Sequence, residues 1–445
     1  MRLSGRLVVP LTLILSALLS WLPFAAPAAH EPLSAEVGSG CGEGRLEERE
    51  GLRILHLKGV PYQMGYQHGV LLRHEIRTGL REQIHERLIL EGGTSHLLLL
   101  RHARHMDGYL PAKYREEMHG LADGAGISYS DVLLFHTLHD LTSQPLPRHG
   151  IRDFLLTLYP PFIPPFGSGD VLSSTVLSRD GSSVGNGLSL PLEAAFAAFG
   201  SATENGKLLQ GLDFASPQLS LQDVLLIVYE PQVGNSFVAL AWPGMVGVTM
   251  GLNEERISVA ELASPSQDAS LEGSPLPFLL REVLEYAGDI STALRLVASA
   301  ERTIGHNVVI GDGKPADAQA MEFSAHIYAV FEAEDDFVIR TNHYLDPILL
   351  ETQQVSSQEK YESSQTRFEA MYERLDTDYR RLDLSKAINL LSESDAANEK
   401  NHAVGKRESV LGVVIASSDL EVWVISAAYP EGRVVSRSLR LDEEL

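Results

Sequence analysis

The 445-residue sequence has one cysteine, Cys41, which excludes an intrachain disulfide. Cys41 follows Gly38-Ser39-Gly40 in a polar stretch, too far beyond the first apolar run to mark a lipoprotein acylation site, and it is read as incidental. Positive charge is scarce as well: 36 Lys and Arg face 59 Asp and Glu, for a net charge of -23. Nucleic acid is therefore not an expected partner, because binding it needs a basic surface that neutralises phosphates. The acids are spread along the chain rather than gathered in a tail, which reads as solubility. Internal repeats and low-complexity tracts are lacking.

Long apolar runs are also few. Leu7 to Leu22 is about 16 residues, interrupted by Pro10, and falls short of the roughly 20 needed to cross a bilayer. Arg2 and Arg6 lie before or at its start, and Ala25-Ala26-Pro27-Ala28-Ala29 follows. Those are the charged, apolar and small-residue regions of a secretory signal, with cleavage near Ala28-Ala29. The expectation is a secreted or periplasmic protein with no stable membrane span. Retention of the segment as a membrane anchor is the minor reading. Residues 30–50 then form a flexible leader, and 51–445 a single domain with an insertion at about 142–170.

Gly51 to Leu57 reads as a strand, and 59–69 opens a helix that continues to about Leu90. Apolar spacing predicts three more helices at Leu97–His105, Ala112–Ala122 and Tyr129–Leu141, the last capped by Ser128 or Ser130. His136 and His139 stand three residues apart with Asp140 beside them, a spacing seen in metal sites. No third ligand follows at suitable spacing, and no metal or cofactor is expected. Residues 142–170 are rich in Pro and Gly, and 171–189 reads as a hairpin about Arg179-Asp180-Gly181. Strands dominate 192–262, with one expected at Val246–Gly251. Two helices, four strands, two charged helices and three closing strands complete the chain. This alternation indicates an α+β fold of sheets packed between helical layers.

One stretch organises the rest: Leu192 to Phe214, LEAAFAAFGSATENGKLLQGLDF. Small and aromatic residues make a buried strand, Thr203-Glu204-Asn205-Gly206 supplies a turn, and a second strand follows. Elsewhere, 60–69 (VPYQMGYQHG), 114–126 (YREEMHGLADGAG), Gly251-Leu252-Asn253-Glu254, Thr341-Asn342-His343-Tyr344 and the segment from Leu411 to Val424 resemble the marks of the isopenicillin-N acyltransferase family (acyl-CoA:6-aminopenicillanic acid acyltransferases and related amide hydrolases). They run in family order from about 51 to 437.

The resemblance implies a four-layer αββα fold of the N-terminal-nucleophile hydrolase type, with peripheral helices. It also implies chemistry on linear amide or acyl bonds. In such proteins the precursor cuts itself before a Cys, whose freed amine then serves as its own base while asparagines and backbone N–H groups hold the oxyanion. Carried across residue by residue, Asp213 falls on the Asp of a Gly-Arg-Asn-x-Asp turn, and Asn253 and Asn342 fall on pocket-wall asparagines. The Cys position holds Glu193, and Gln210-Gly211-Leu212-Asp213 lacks the Arg and Asn of the turn. A carboxylate cannot perform the N-to-S acyl shift. The expectation is a degenerate, unprocessed relative that meets a small-molecule amide or acyl ligand. The alternative is an active amide hydrolase or acyltransferase with another nucleophile, such as Ser173.

Overall fold

The computed structural model describes residues 35–36, 43–80, 96–143, 192–215, 224–355, 357–392, 410–428 and 433–445. The N-terminal apolar run, Cys41, residues 144–170, the expected hairpin at 171–189 and Ser173 lie outside them. Two sheets lie at the centre. The first runs β1 (Ala35–Glu36), β2 (Arg45–Arg49), β3 (Leu52–Gly59), β6 (Leu225–Pro231), β7 (Phe237–Ala241), β8 (Met250–Asn253), β9 (Ile257–Ala263), β10 (His306–Asp312), β11 (Asp317–Phe323) and β12 (Tyr328–Glu332). Its neighbours are antiparallel, except that β3 and β6 are parallel. The second sheet is antiparallel throughout, in the order β13 (Phe337–Thr341), β4 (Leu192–Ala198), β5 (Leu209–Ala215), β14 (Val410–Ala416), β15 (Glu421–Ala428) and β16 (Arg433–Arg440).

Side chains alternate across each strand, so each sheet feeds two cores. Ala195, Ala197, Leu212, Leu226, Ala260 and Leu262 fill the space between the sheets. On the outer face of the first sheet, Leu225, Val259 and Val308 pack under helices α1 (Pro61–Leu71), α2 (Arg73–Leu80), α3 (His96–Asp107), α4 (Ala112–Ala125), α5 (Tyr129–Ser143), α6 (Leu276–Tyr286) and α7 (Ile290–Ser299). After the short α8 (Pro347–Thr352), helices α9 (Gln358–Thr377) and α10 (Leu384–Ser392) cover Ala194, Phe196 and Val414 on the second sheet. Helix, sheet, sheet, helix is the αββα order. Residues Ser34 to Leu445 belong to one compact unit.

Some helices begin at a side-chain cap. Ser128 Oγ accepts from Asp131 N–H at 3.1 Å, and Asp289 from Thr292 N–H at 2.7 Å. Helices α1 and α4 touch backbone to backbone, because a Cβ on Gly65 would lie 1.9 Å from Glu117 O. The region expected as one helix to Leu90 is broken at Leu72, and Arg73 turns to donate to Gly124 O at 3.0 and 2.8 Å.

The strand expected at Val246–Gly251 starts only at Met250. The backbone before it is claimed elsewhere: Val246 O by Arg281, Val246 N–H by His136 Nε2, and Val248 N–H by Pro277 O. The leader is not structureless either, since β2 pairs with β3 from Arg45↔His56 to Arg49↔Leu52. Helix α8 and the closing turn α11 (Leu441–Glu444) were not foreseen.

Candidate functional site

Glu193 is the second residue of β4, which lies between β13 and β5. It shares its strand face with Ala195 and Ala197, so its side chain enters the space between the sheets. The register sets Ala194 opposite both Asp213 and Thr341. Asp213 Oδ1 accepts from Ala194 N–H at 2.7 Å. Asn342, one residue past β13, falls beside Glu193, and its Oδ1 accepts from Glu193 N–H at 2.9 Å. The Asn342 Nδ2 amide donates to Glu193 Oε2 and to Ala263 O, both at 2.9 Å. Ala263 N–H, at the end of β9, donates to the same Oε2 at 2.8 Å. The structure thus brings Glu193, Asp213 and Asn342 together.

One side chain completes the site that the sequence did not point out. Arg367 of α9 donates to Asn342 Oδ1 at 2.7 Å and to Glu193 O at 3.4 Å. Its signal was its position: Ser364, Arg367, Met371 and Leu375 form the buried face of α9, and an arginine on an apolar face needs partners. Glu261 of β9, a carboxyl within a wholly buried strand, lies on the outer face with Val259 and opposite Val308, and acts on Glu193 through its charge alone. Its Oε1 lies 3.1 Å from His306 Nδ1, and its Oε2 is buried with no hydrogen-bond partner.

Burial governs the protonation of this group. It pushes Glu193 up to about 8, helped by the nearby Glu261 and opposed by the Ala263 and Asn342 donors and by Arg367. Glu261 is pushed up to about 8 by burial alone. His306 is pushed down to about 4, again by burial. At neutral pH the two carboxyls and the imidazole are therefore mostly uncharged.

Asn253 is not part of this site. Its Nδ2 donates to Leu284 O and Ala287 O, each at 2.9 Å, and its Oδ1 accepts from Ile257 N–H at 2.8 Å. It ties the end of α6 to the start of β9, while Ala263 stands at the other end of that strand, roughly 20 Å away at 3.3 Å per residue. The reading of Asn253 as a pocket-wall residue is corrected accordingly: a Gly-x-Asn-Glu turn needs an amide to close it. Gln210, in place of the expected turn residues, bridges the sheets by donating to Val309 O at 2.9 Å and accepting from Ser258 Oγ. Ser173 cannot be placed, as it lies outside the described residues.

The histidine pair also separates. His136 Nδ1–H donates to Val132 O at 2.7 Å while its Nε2 accepts from Val246 N–H at 2.9 Å, so both nitrogens serve backbone. His139 packs against the His306 ring, and Asp140 accepts from the Thr303 hydroxyl. Glu47, His56 and Glu444 come within metal-ligand reach of one another. Arg49 already donates to both of those carboxylates.

Chemically, the Ala263 N–H and the Asn342 amide are two donors aimed at one oxygen, the arrangement that polarises an acyl carbonyl. Here that oxygen belongs to Glu193. A two-sheet core sheathed by helices, with a buried strand start bracketed by Asn and Asp, defines an αββα protein of the N-terminal-nucleophile type. The profile of the acyl-coenzyme A:6-aminopenicillanic acid acyl-transferase family matches residues 203–427. The chain belongs to that family.

Its relatives include an uncharacterized protein of Archaeoglobus fulgidus, 30% identical over 337 residues, covering 68% of this chain and 52% of the relative. Protein dcd1A of Dictyostelium discoideum is 26% identical over 320 residues, covering 64% of this chain and 62% of the relative. The chain thus spans between half and two thirds of the length of these relatives. Among solved structures, an N-acylethanolamine-hydrolyzing acid amidase ortholog of Caenorhabditis elegans matches with 15% identity and a TM-score of 0.37, over 51% of this chain and 93% of that one. A mutant conjugated bile acid hydrolase of Clostridium perfringens matches with 12% identity and a TM-score of 0.40, over 57% and 93%.

Proposed function

We propose that this chain is an exported, unprocessed and catalytically silent member of its family, which retains the scaffold for a small amide or acyl ligand. One observation carries the reading: the carboxyl of Glu193 receives both the Ala263 N–H and the Asn342 amide. A substrate carbonyl seeking those donors meets an internal competitor already in place.

The side chain also lacks the chemistry. Self-cleavage of the family type needs a thiol or hydroxyl to attack the preceding carbonyl, followed by a free amine that deprotonates it. A carboxyl held neutral by burial is a poor nucleophile, and its peptide N–H is spent on Asn342. Asp213 serves the Ala194 N–H, and the family's turn arginine is replaced. Asp213, Asn342 and Arg367 therefore act as positioning groups that fix the start of β4.

Intact mass spectrometry of the purified protein tests this. A single polypeptide running through Leu192-Glu193, unlabelled by an acyl-transferring probe such as an activated fatty-acyl ester, is the expected result. Cleavage before Glu193 would overturn it. A label on Ser173 would favour the active alternative. Glu193→Cys is expected to remain uncut, because the missing turn residues are not restored.

A further inference from the structure

We propose that Glu193 is a proton-dependent latch on this site: as the neutral acid it closes over the Ala263 N–H and the Asn342 amide, and on ionising it swings to water and frees both donors for the carbonyl or carboxylate of a ligand. The inference rests on the reading that Glu193 is an unprocessed side chain.

Its geometry is that of a neutral carboxyl. Both donors converge on one oxygen, Oε2, at 2.8 and 2.9 Å, as they would on a C=O, leaving Oε1 to carry the proton. The charged and titratable surroundings are mixed. From β9 comes Glu261, backed by His306 of β10. From α9 comes Arg367, tied to Asn342. Asp213 of β5 is occupied with Ala194 N–H, and His343, next after Asn342, turns to Ser364 at 2.8 Å. Glu261 opposes a second charge, Arg367 favours it, and burial settles the balance against it. The closed carboxyl then titrates at about 8, whereas one swung into water returns to roughly 4.5.

The linkage has a definite sign. Below about pH 4.5 both closed and open forms are protonated and the latch is tightest. Between roughly 4.5 and 8 only the open form ionises, so the opening constant rises about tenfold per pH unit. Above 8 both forms are charged and the rise stops. The full span, about 3.5 decades, is roughly three-thousandfold.

Amide hydrogen exchange on the full chain from pH 5 to 9 reads this directly. Exchange of Ala263 N–H is expected to rise about a hundredfold per pH unit up to about pH 8 and tenfold beyond, base catalysis of exchange supplying one decade throughout. In Glu193→Gln, an isostere of the neutral acid, the rise is tenfold at every pH. In Glu261→Gln, the break moves to lower pH. Amides of Val308 and Ile310 on the neighbouring strand report global opening and should exchange far more slowly than Ala263. A uniform tenfold slope in wild type, or an Ala263 amide that only follows its β10 neighbours, would overturn the latch. The wild-type slope alone decides the matter if the variants fold poorly. A chain that arrives cut at 192–193 would instead refute the reading beneath it.

Discussion

Replacing Asn342 with alanine should show whether this site is held as a structural hub. Asn342 accepts from Glu193 N–H and Arg367 and donates to Glu193 Oε2 and Ala263 O. Truncation strands one backbone donor, one backbone acceptor and a guanidinium contact. A buried group left unpaired costs about 1–3 kcal/mol, but Asn342 is only half-buried and water can repair part of the loss. The sum comes to roughly 3 kcal/mol. With an unfolding entropy near 0.8 kcal/mol per kelvin for about 400 residues, that lowers Tm by about 4 °C. Urea melts and calorimetry at pH 6 would measure it. A double-mutant cycle with Glu193→Ala, which removes the carboxyl that Asn342 donates to, should give a coupling of roughly 1 kcal/mol. A loss under 0.5 kcal/mol, or no coupling, would refute the hub and leave Asn342 as a turn residue.

The stability of the wild-type protein should fall as pH rises. Glu193 and Glu261 both titrate near 8 when folded, above their unfolded range, so their full contribution is present below about pH 4.5 and is lost progressively up to pH 8. For Glu193 alone the loss between pH 5 and 8 is about 3 kcal/mol. Glu193→Gln should remove that share in urea melts and leave a smaller slope from Glu261; an unchanged slope would contradict the protonation assigned here. Asn253→Ala should cost about 1–3 kcal/mol, because it strands the Ile257 N–H and leaves the Leu284 and Ala287 carbonyls only their longer bonds from Asn235, yet leave Ala263 exchange relative to the β10 amides unaltered. A selective change at Ala263 would return Asn253 to the site.

How far the sequence could be read depended on where its information was local. The strand pair from Leu192 to Ala215 was visible because small residues, a turn ending in Gly206 with φ of 74° and a second apolar run all lie within one hairpin. The order of family marks fixed the αββα class, and the Asp213 and Asn342 placements came with it. Information spread across the chain was harder to see. Arg367 reads as one charge among many on a helix rich in Glu, until the packing of α9 turns it inward. Glu261 looks like a polar interruption in an apolar strand, and nothing nearby announces His306 as its neighbour. Asn253 misled because the same amide suits a pocket wall or a turn. The late start of β8 was decided by Arg281, Pro277 and His136, each well removed in sequence.

The central claim concerns one peptide bond. Intact mass of the purified chain, taken before and after exposure to an activated fatty-acyl ester, addresses it most directly. The account expects one polypeptide, continuous across Leu192-Glu193 and unchanged in mass. Two fragments meeting at that bond, or an acyl group on a side chain beside it, would contradict the account.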